Sequence, residues 1–473
     1  MTDDLPRVKR IAIVGGGIAG LSAAFYLEQA RQRGAALDYV LYESEERLGG
    51  VLRSERVDDC LVEAGPDSFL TEKPWAADLC RELGLADQLI GSNDRLRRTW
   101  ILVNRRLRRL PDGLQFMVPT KTWPIVFSRL FSLGTKLRMV GELFSPPRSP
   151  AADESAAALV ERHFGREVVE RLADPLLAGV YGGDAERLSA RAVLPRFAGM
   201  EARSGSLIRG MLAARRNRAG SPPQPLFTSL QDGMQQLVDA VIARLQPSAL
   251  RTATPVTQLR REGERWLVTL ASGPAEPFDS VVLAVPAFRA SDLLEATDRA
   301  LAALLQQIPY NNAMTVSLGF AADSLPLSQR LRFADGHGFL VPRSEGRCLL
   351  ACTYAHNKFP HRAPEGRLLL RTFLNEGHRS LAGLSDEEVV QAVRLELRAI
   401  LGLYAEPRFA RLYRWPAAMA QYEVGHLERL AEIERLRQEL PGLALIGNAY
   451  RGIGVPDCIR SGRDAAEEIA RLP

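Results

Sequence analysis

The chain of 473 residues is expected to be an α/β protein combined with an α+β part. A parallel-sheet domain is assembled from three separated stretches and interrupted by two insertions, one a mixed sheet and one helical. Three observations predict this. The chain opens on a strand, a glycine turn and a helix. Glycine-bearing α/β segments recur after residue 226 and again at the C-terminus. Between them, one long stretch alternates strand-like runs and another reads as helix. The apolar content of 46% and charged content of 25% are those of a soluble globular protein. The length suits roughly three domains at about 150 residues each.

The opening stretch is IAIVGGGIAGLSAAFYLEQA, Ile11 to Ala30. Four apolar residues, a glycine turn and an apolar-periodic segment follow in the order that a Rossmann-like dinucleotide site needs. Gly15 permits the tight turn, Gly17 lets backbone approach a pyrophosphate, and Gly20 lets the helix pack closely on the strand. Gly16, Ile18 and Ala19 complete the turn, and free N–H groups at the helix start face the phosphates. The second strand, DYVLYE, ends at Glu43, beside Ser44. A carboxylate there accepts hydrogen bonds from the adenosine ribose of NAD and FAD alike. The next residues choose between them. SEERLGGVLRS brings a cation, Arg47, and a glycine pair, Gly49 and Gly50, so that a second loop presses on the pyrophosphate. That combination resembles flavoproteins of the FAD-dependent amine oxidase superfamily rather than nicotinamide dehydrogenases.

Two later segments point the same way. SLQDGMQQLVDAVIARL, from Ser229, is similar to the superfamily's internal glycine–Met segment, and DSVVLAVP ends a strand at Pro286. LALIGNAYRGIGVPDCIRSGRDAAEEIA closes the chain as strand, glycine loop and helix, with a positive helix end at Gly454 to Asp457. Together with EAGPDSFL at Glu63 to Leu70 and DPLLAGVYGGDAERLSARAVLP at Asp174 to Pro195, these resemble the bacterial porphyrinogen oxidases of the haem pathway. These are the protoporphyrinogen IX and coproporphyrinogen III oxidases, and the resemblance runs nearly end to end.

The resemblance implies FAD as cofactor, held by Gly15 to Gly20, Glu43, Ser44, Arg47, Gly49, Gly50, the turn Gly65, Pro66, Asp67 and Ser68, the backbone of Val256, Trp415, Gly447, and Ile453, Gly454 and Val455. By position alone Trp415 reads better as a core aromatic. Gly179 matches a glycine that leaves room for a macrocycle, and Leu340 and Phe373 fall where apolar residues sandwich a pyrrole ring. Two departures stand out. Plant members carry an arginine where this chain has Thr99, with Arg97 and Arg98 beside it, so propionate recognition is expected of that arginine cluster. Thr353 replaces an apolar cavity residue, and a more polar wall suits a substrate with four propionates. The implied reaction is oxidation of protoporphyrinogen IX to protoporphyrin IX by oxygen, with hydrogen peroxide formed. The alternative substrate is coproporphyrinogen III. Further alternatives are another amine oxidase, a carotenoid desaturase, or a nonredox carrier of lipid-modified partners.

Residues 1–85, 226–295 and 412–473 are assigned to the FAD-binding domain, 86–110 and 296–411 to the substrate-binding domain, and 111–225 to a helical domain. LQFMVPTKTWPIVFSRLFSLGTKLRM mixes large apolar with basic residues, which suits either a headgroup interface or core-packing helices. The six histidines form no acid–base grouping, so no catalytic proton-transfer residue is named. His356 and His361 read as structural. The five scattered cysteines predict neither a disulfide framework nor a metal site. A net charge of +5 without a nucleic-acid motif predicts no nucleic-acid partner. Expected partners are the porphyrinogen and molecular oxygen; a membrane surface, ferrochelatase and a second copy of the chain are candidates. Without a signal or spanning segment the expected location is cytoplasmic, with peripheral attachment to the inner membrane as a candidate.

Overall fold

The strand Lys9–Val14 forms because Ile11, Ala12 and Ile13 have both faces to bury, the pattern of an inner parallel strand. It pairs in parallel with Leu37–Tyr42 on one side and Ser280–Leu283 on the other. Leu250–Arg251 and Leu443–Leu445 complete a five-stranded parallel sheet. The structure, a computed structural model, describes residues 8–148, 152–217, 224–375, 381 and 383–471. The sequence places a PPRSP break near Pro146 to Pro150 and a polar segment at Arg215 to Pro225, and both lie partly outside the described residues.

The helix Ile18–Gln32 packs beside the C-terminal helix Val455–Arg471. Gly462 makes this possible: a Cβ there would stand 2.4 Å from the Ala19 carbonyl oxygen. Helices joined to the chain's two ends therefore lie against each other on one face of the sheet.

A second, seven-stranded mixed sheet is built from Thr99–Val103, Arg106–Arg109, Tyr310–Ala321, Gly338–Leu340, Leu349–Tyr354, Arg367–Leu374 and Phe409–Ala420. Its last strand runs past residue 412, where the sequence reading begins the final FAD-binding piece. RLYRWPAAMA continues to pair with Tyr310–Ala321 through Trp415 to Ala420, and ladder pairing decides the boundary. One face of this sheet is covered by the helix Asp386–Leu401. That helix begins at a Ser385/Glu388 capping box, ends at Gly402 with φ of 68°, and buries Val389, Val393, Leu397 and Leu401 in one stripe. The other face looks toward the parallel-sheet domain.

The described residues between 122 and 217 are mainly helical, with Leu133–Glu142, Ala156–Phe164, Asp174–Tyr181, Pro195–Ser204 and Leu207–Asn217 among the helices. Glu142 is buried and takes N–H groups of Leu207 and Ile208 together with the Ser206 hydroxyl and His163. A buried carboxylate at the start of one helix thus ties three segments together. This stretch also presents a row of outward apolar side chains: Trp123 is 71% exposed, Phe127 78% and Phe144 81%, with Leu133, Leu137 and Val140 exposed between them. Ile125, Leu130, Phe131 and Met139 of the same segment are buried. The segment is therefore core on one side and bare on the other.

Candidate flavin and substrate site

The glycine turn at the end of the first strand is held by its own packing. Gly15 adopts φ of 107°, and a Cβ there would meet the Ala284 carbonyl at 2.6 Å. A Cβ on Gly20 would fall 1.9 Å from the Gly15 oxygen. At Gly17 the result is opposite: a Cβ would meet no protein atom within 4 Å. The backbone there borders open space at the start of a helix, which is the cradle a pyrophosphate fills. Glu43 is fixed beside it. One carboxylate oxygen accepts from the Gly16 N–H at 2.6 Å, and the other from the Ser44 hydroxyl and the Glu45 N–H.

The second glycine loop closes on the first. Gly49 bridges to Gly17, and its N–H donates to the Gly16 carbonyl at 2.8 Å. Arg47 turns back on its own loop, donating to the carbonyls of Leu48, Leu52 and Gly50 and to Gln235. The sequence reading counts Arg47 among the residues that hold FAD; here its guanidinium lies against these clustered carbonyls and braces Gly49 and Gly50. Val256 arrives by a different route. Thr254, two residues earlier, donates its N–H to the Glu43 carbonyl, which lays the segment along the same edge.

The C-terminal loop joins these pieces at the same end of the sheet. Ile446 donates to the Leu283 carbonyl, Gly447 follows with φ of 115°, and the helix begins at Val455. Two residues absent from the sequence reading hold this loop. The Tyr422 hydroxyl donates to the Asn448 carbonyl and accepts from the Gly452 N–H. His426 stacks on Tyr422 with ring centroids 4.1 Å apart and lies 3.1 Å from the Tyr450 carbonyl through Nε2. Burial lowers His426 to about 4, so it is neutral at pH 7. A carbonyl can only accept, so the proton is on Nε2. Asp457, buried in the first turn of the helix, accepts from Gly454 and pairs with Lys73 at 2.5 Å.

Ladder register places the expected substrate residues on one surface. Thr99 pairs with Gly338, which pairs with Thr353, which pairs with Arg371. Two residues along, Leu340 pairs with Ala351, Ala351 with Phe373, Phe373 with Thr315, and Thr315 with Tyr413. Because side chains alternate, Thr99, Leu340, Thr353, Phe373 and Trp415 all project from one face. That face is the one turned toward the glycine loops: Trp415 donates from Nε1 to the Ala64 carbonyl at 2.9 Å, and Arg371 donates to the Gly65 carbonyl. The Thr315 hydroxyl on this face and the Tyr450 hydroxyl of the C-terminal loop are buried without a protein partner. Both are polar groups for which a bound ligand supplies the missing bond.

The helix Asp174–Tyr181 packs against the strands carrying Leu340 and Thr353, and a Cβ on Gly179 would enter open space. Arg97 and Arg98 lie at the outer edge, half exposed. Arg98 pairs with Asp335 at 2.6 Å, whereas Arg97 reaches Asp94 only at 4.0 Å. His356 is locked between the backbone of Leu369 and Phe333, and His361 is exposed.

Beneath the Gly65–Ser68 turn lies a buried ionic group that no motif announced. Glu63 takes Arg362 at 3.1 Å, the Ser54 hydroxyl at 2.6 Å and the Met234 N–H at 3.0 Å. Burial pushes the Glu63 carboxyl up and the Arg362 guanidinium down, and their attraction opposes both. Lys358 grips both oxygens of Asp67 at 2.9 Å and the Ser68 hydroxyl at 3.0 Å. Burial alone raises Asp67, but Lys358 and then Arg371 override it and hold the carboxyl well below the usual range. Pairs from 358–362 thus fasten the mixed sheet's connections to the turn at 63–68.

A Rossmann-like cradle, a second glycine loop and a C-terminal helix converging on the face of a mixed sheet define a flavin-dependent oxidoreductase. The chain belongs to the flavin containing amine oxidoreductase family, whose sequence pattern matches residues 18–470, and its cofactor is FAD. Among particular relatives it is similar to coproporphyrinogen III oxidase of Bacillus subtilis (strain 168), 34% identical over 97% of each chain. It is also similar to the chloroplastic protoporphyrinogen oxidase 1 of Arabidopsis thaliana, 30% identical over 97% of this chain and 87% of the relative. A solved structure from Exiguobacterium sp. 255-15, assigned as a protoporphyrinogen oxidase, superposes with a TM-score of 0.86 at 32% identity, covering 98% of each chain. Putrescine oxidase, at 18% identity and a TM-score of 0.71, shares the fold.

Proposed function

We propose that this flavoenzyme oxidises a porphyrinogen to the corresponding porphyrin in haem biosynthesis, with coproporphyrinogen III as substrate ahead of protoporphyrinogen IX. The sequence reading ranks the two the other way. The observation that carries the reaction is the single sheet face bearing Leu340 and Phe373 beside the Gly65 turn, with Gly179 leaving space opposite. A flat tetrapyrrole fits between such apolar walls, and its carboxylates require cations at the margin. Two features favour four carboxylates: Thr353 makes the wall more polar, and two relatives at 34% identity are coproporphyrinogen III oxidases.

In this reading Gly15 to Gly20, Glu43, Gly49, Gly50, the Gly65–Ser68 turn, Val256, Trp415, Gly447 and Ile453 to Val455 hold FAD, and Arg47 braces the second loop. When bound, FAD supplies the two-electron acceptor, and molecular oxygen regenerates it with formation of hydrogen peroxide. The protein's own part is geometric. Leu340 and Phe373 orient the ring and exclude water, Arg97 and Arg98 take carboxylates at the outer edge, and no side chain is assigned a proton-transfer role. Purified holoenzyme offered each porphyrinogen under nitrogen should bleach. In air, porphyrin fluorescence should give a kcat/KM for coproporphyrinogen III about tenfold or more above that for protoporphyrinogen IX. An equal or reversed ratio overturns the substrate order, and a flavin that stays oxidised with both overturns the reaction.

We further propose that the row Trp123, Phe127, Leu133, Leu137, Val140 and Phe144 seats the enzyme on an anionic membrane surface. No helix among the described residues is long and apolar enough to cross one. Exposed Lys121 and Arg129 flank the row. The holoenzyme should co-float with vesicles containing anionic lipid, and Trp123→Ser with Phe127→Ser should abolish flotation without changing the flavin spectrum. A wild-type enzyme that ignores such vesicles rejects the proposal. A second copy of the chain and ferrochelatase remain candidate partners of the same enzyme.

A further inference from the structure

Arg371 is the cation of the buried ionic group at the 63–68 turn that has no ion pair of its own among the described residues. The turn at 63–68 gathers five charged side chains: the carboxylates of Glu63 and Asp67, and the cations Lys358, Arg362 and Arg371. Glu63 is paired with Arg362 and Asp67 with Lys358. Arg371 forms no ion pair among the described residues. It is 5% exposed, its Nε is buried with no hydrogen-bond partner, and its recorded bond is from Nη2 to the Gly65 carbonyl. It projects from the same sheet face as Thr353 and Phe373, directly opposite Thr353 in the ladder, with its guanidinium 4.9 Å from the Phe373 ring centroid.

Arg371 acts on Asp67 from a distance, but both oxygens of that carboxylate are held by Lys358. Three cations therefore share two carboxylates, and a guanidinium already out of water binds an arriving carboxylate without further desolvation of its own. The exposed arginines at the outer edge, Arg97 and Arg98, serve carboxylates that remain near solvent. Arg371 lies on the inner side, against the turn that borders the flavin. Resting on the proposed function above, we propose that Arg371 takes a substrate carboxylate at the inner edge of the slot and thereby selects porphyrinogens with four propionates over those with two. A substrate with an apolar group at that edge leaves the guanidinium unpaired, and such mismatches discriminate strongly.

The test uses the holoenzyme with Arg371→Met and Arg371→Lys, both porphyrinogens, and the flavin absorption spectrum with sulfite titration as an independent reading. In Arg371→Met the ratio of kcat/KM for coproporphyrinogen III to that for protoporphyrinogen IX should fall about thirtyfold, mainly through KM, with the flavin spectrum and sulfite affinity unchanged. Arg371→Lys, which keeps the charge but not the fork, should recover part of the ratio. Equal losses on both substrates would show that Arg371 only braces the Gly65 turn. A changed sulfite affinity with an unchanged ratio would show that it answers the flavin's charge. Either result overturns the assignment. Failure of the proposed function is distinguishable, because the wild-type enzyme would then oxidise neither porphyrinogen.

Discussion

Gly17→Ala is expected to give a folded but colourless protein. The backbone at Gly17 has φ of −70° and ψ of 176°, which alanine adopts without strain, and its Cβ would touch no protein atom. The added methyl therefore acts only on whatever passes over the turn. FAD affinity should fall by about a hundredfold or more, the equivalent of about 3 kcal/mol of lost approach and overpacking. The checks are the flavin content after purification and the dissociation constant on titrating FAD into apoprotein, with circular dichroism unchanged. Full flavin occupancy with ordinary affinity would mean that the cofactor does not cross this turn. Gly20→Ala supplies the contrast. Its Cβ would collide with the Gly15 oxygen, so there the fold itself should suffer.

Arg362→Met is expected to cost about 3–5 kcal/mol of stability, because it strands the buried Glu63 carboxylate without its cation. Arg362 also donates to the Leu230 and Gln231 carbonyls and to the Ser229 hydroxyl, which therefore lose a donor. Since these partners lie on the parallel-sheet side and Arg362 on the mixed-sheet side, protease cleavage between the two should accelerate as thermal stability falls. Glu63→Leu combined with Arg362→Met should recover much of the loss, as apolar replacement of a buried ion pair commonly does. A single variant as stable as wild type, or a double variant whose losses simply add, would contradict the role given to this pair.

The cofactor end was legible because its chemistry is local. A turn that requires positive φ at Gly15 and backbone contact at Gly20 can be built only from glycines at those spacings, so the pattern is readable from consecutive residues. Glu43 follows at a strand end for the same reason. Arg47 shows the limit: its identity was legible, but which carbonyls it faces depends on how the loop folds back. Trp415 reads by position as a core aromatic, and its bond to Ala64 depends on a strand reaching a turn distant in the chain.

The strand–turn–helix units, the glycine spacing and the apolar or polar character of each substrate-wall residue are legible in consecutive residues, since they follow from conformational preference and hydrophobic periodicity within short windows. The tertiary structure alone decided that Thr99, Leu340, Thr353, Arg371, Phe373 and Trp415 share one face. It also decided that Arg362 and Lys358 pair with carboxylates while Arg371 forms no ion pair among the described residues, and that Tyr422 and His426 clasp the C-terminal loop. The reason is that side-chain direction in a sheet depends on register between strands far apart in the chain, and a buried charge finds its partner only after those strands have paired.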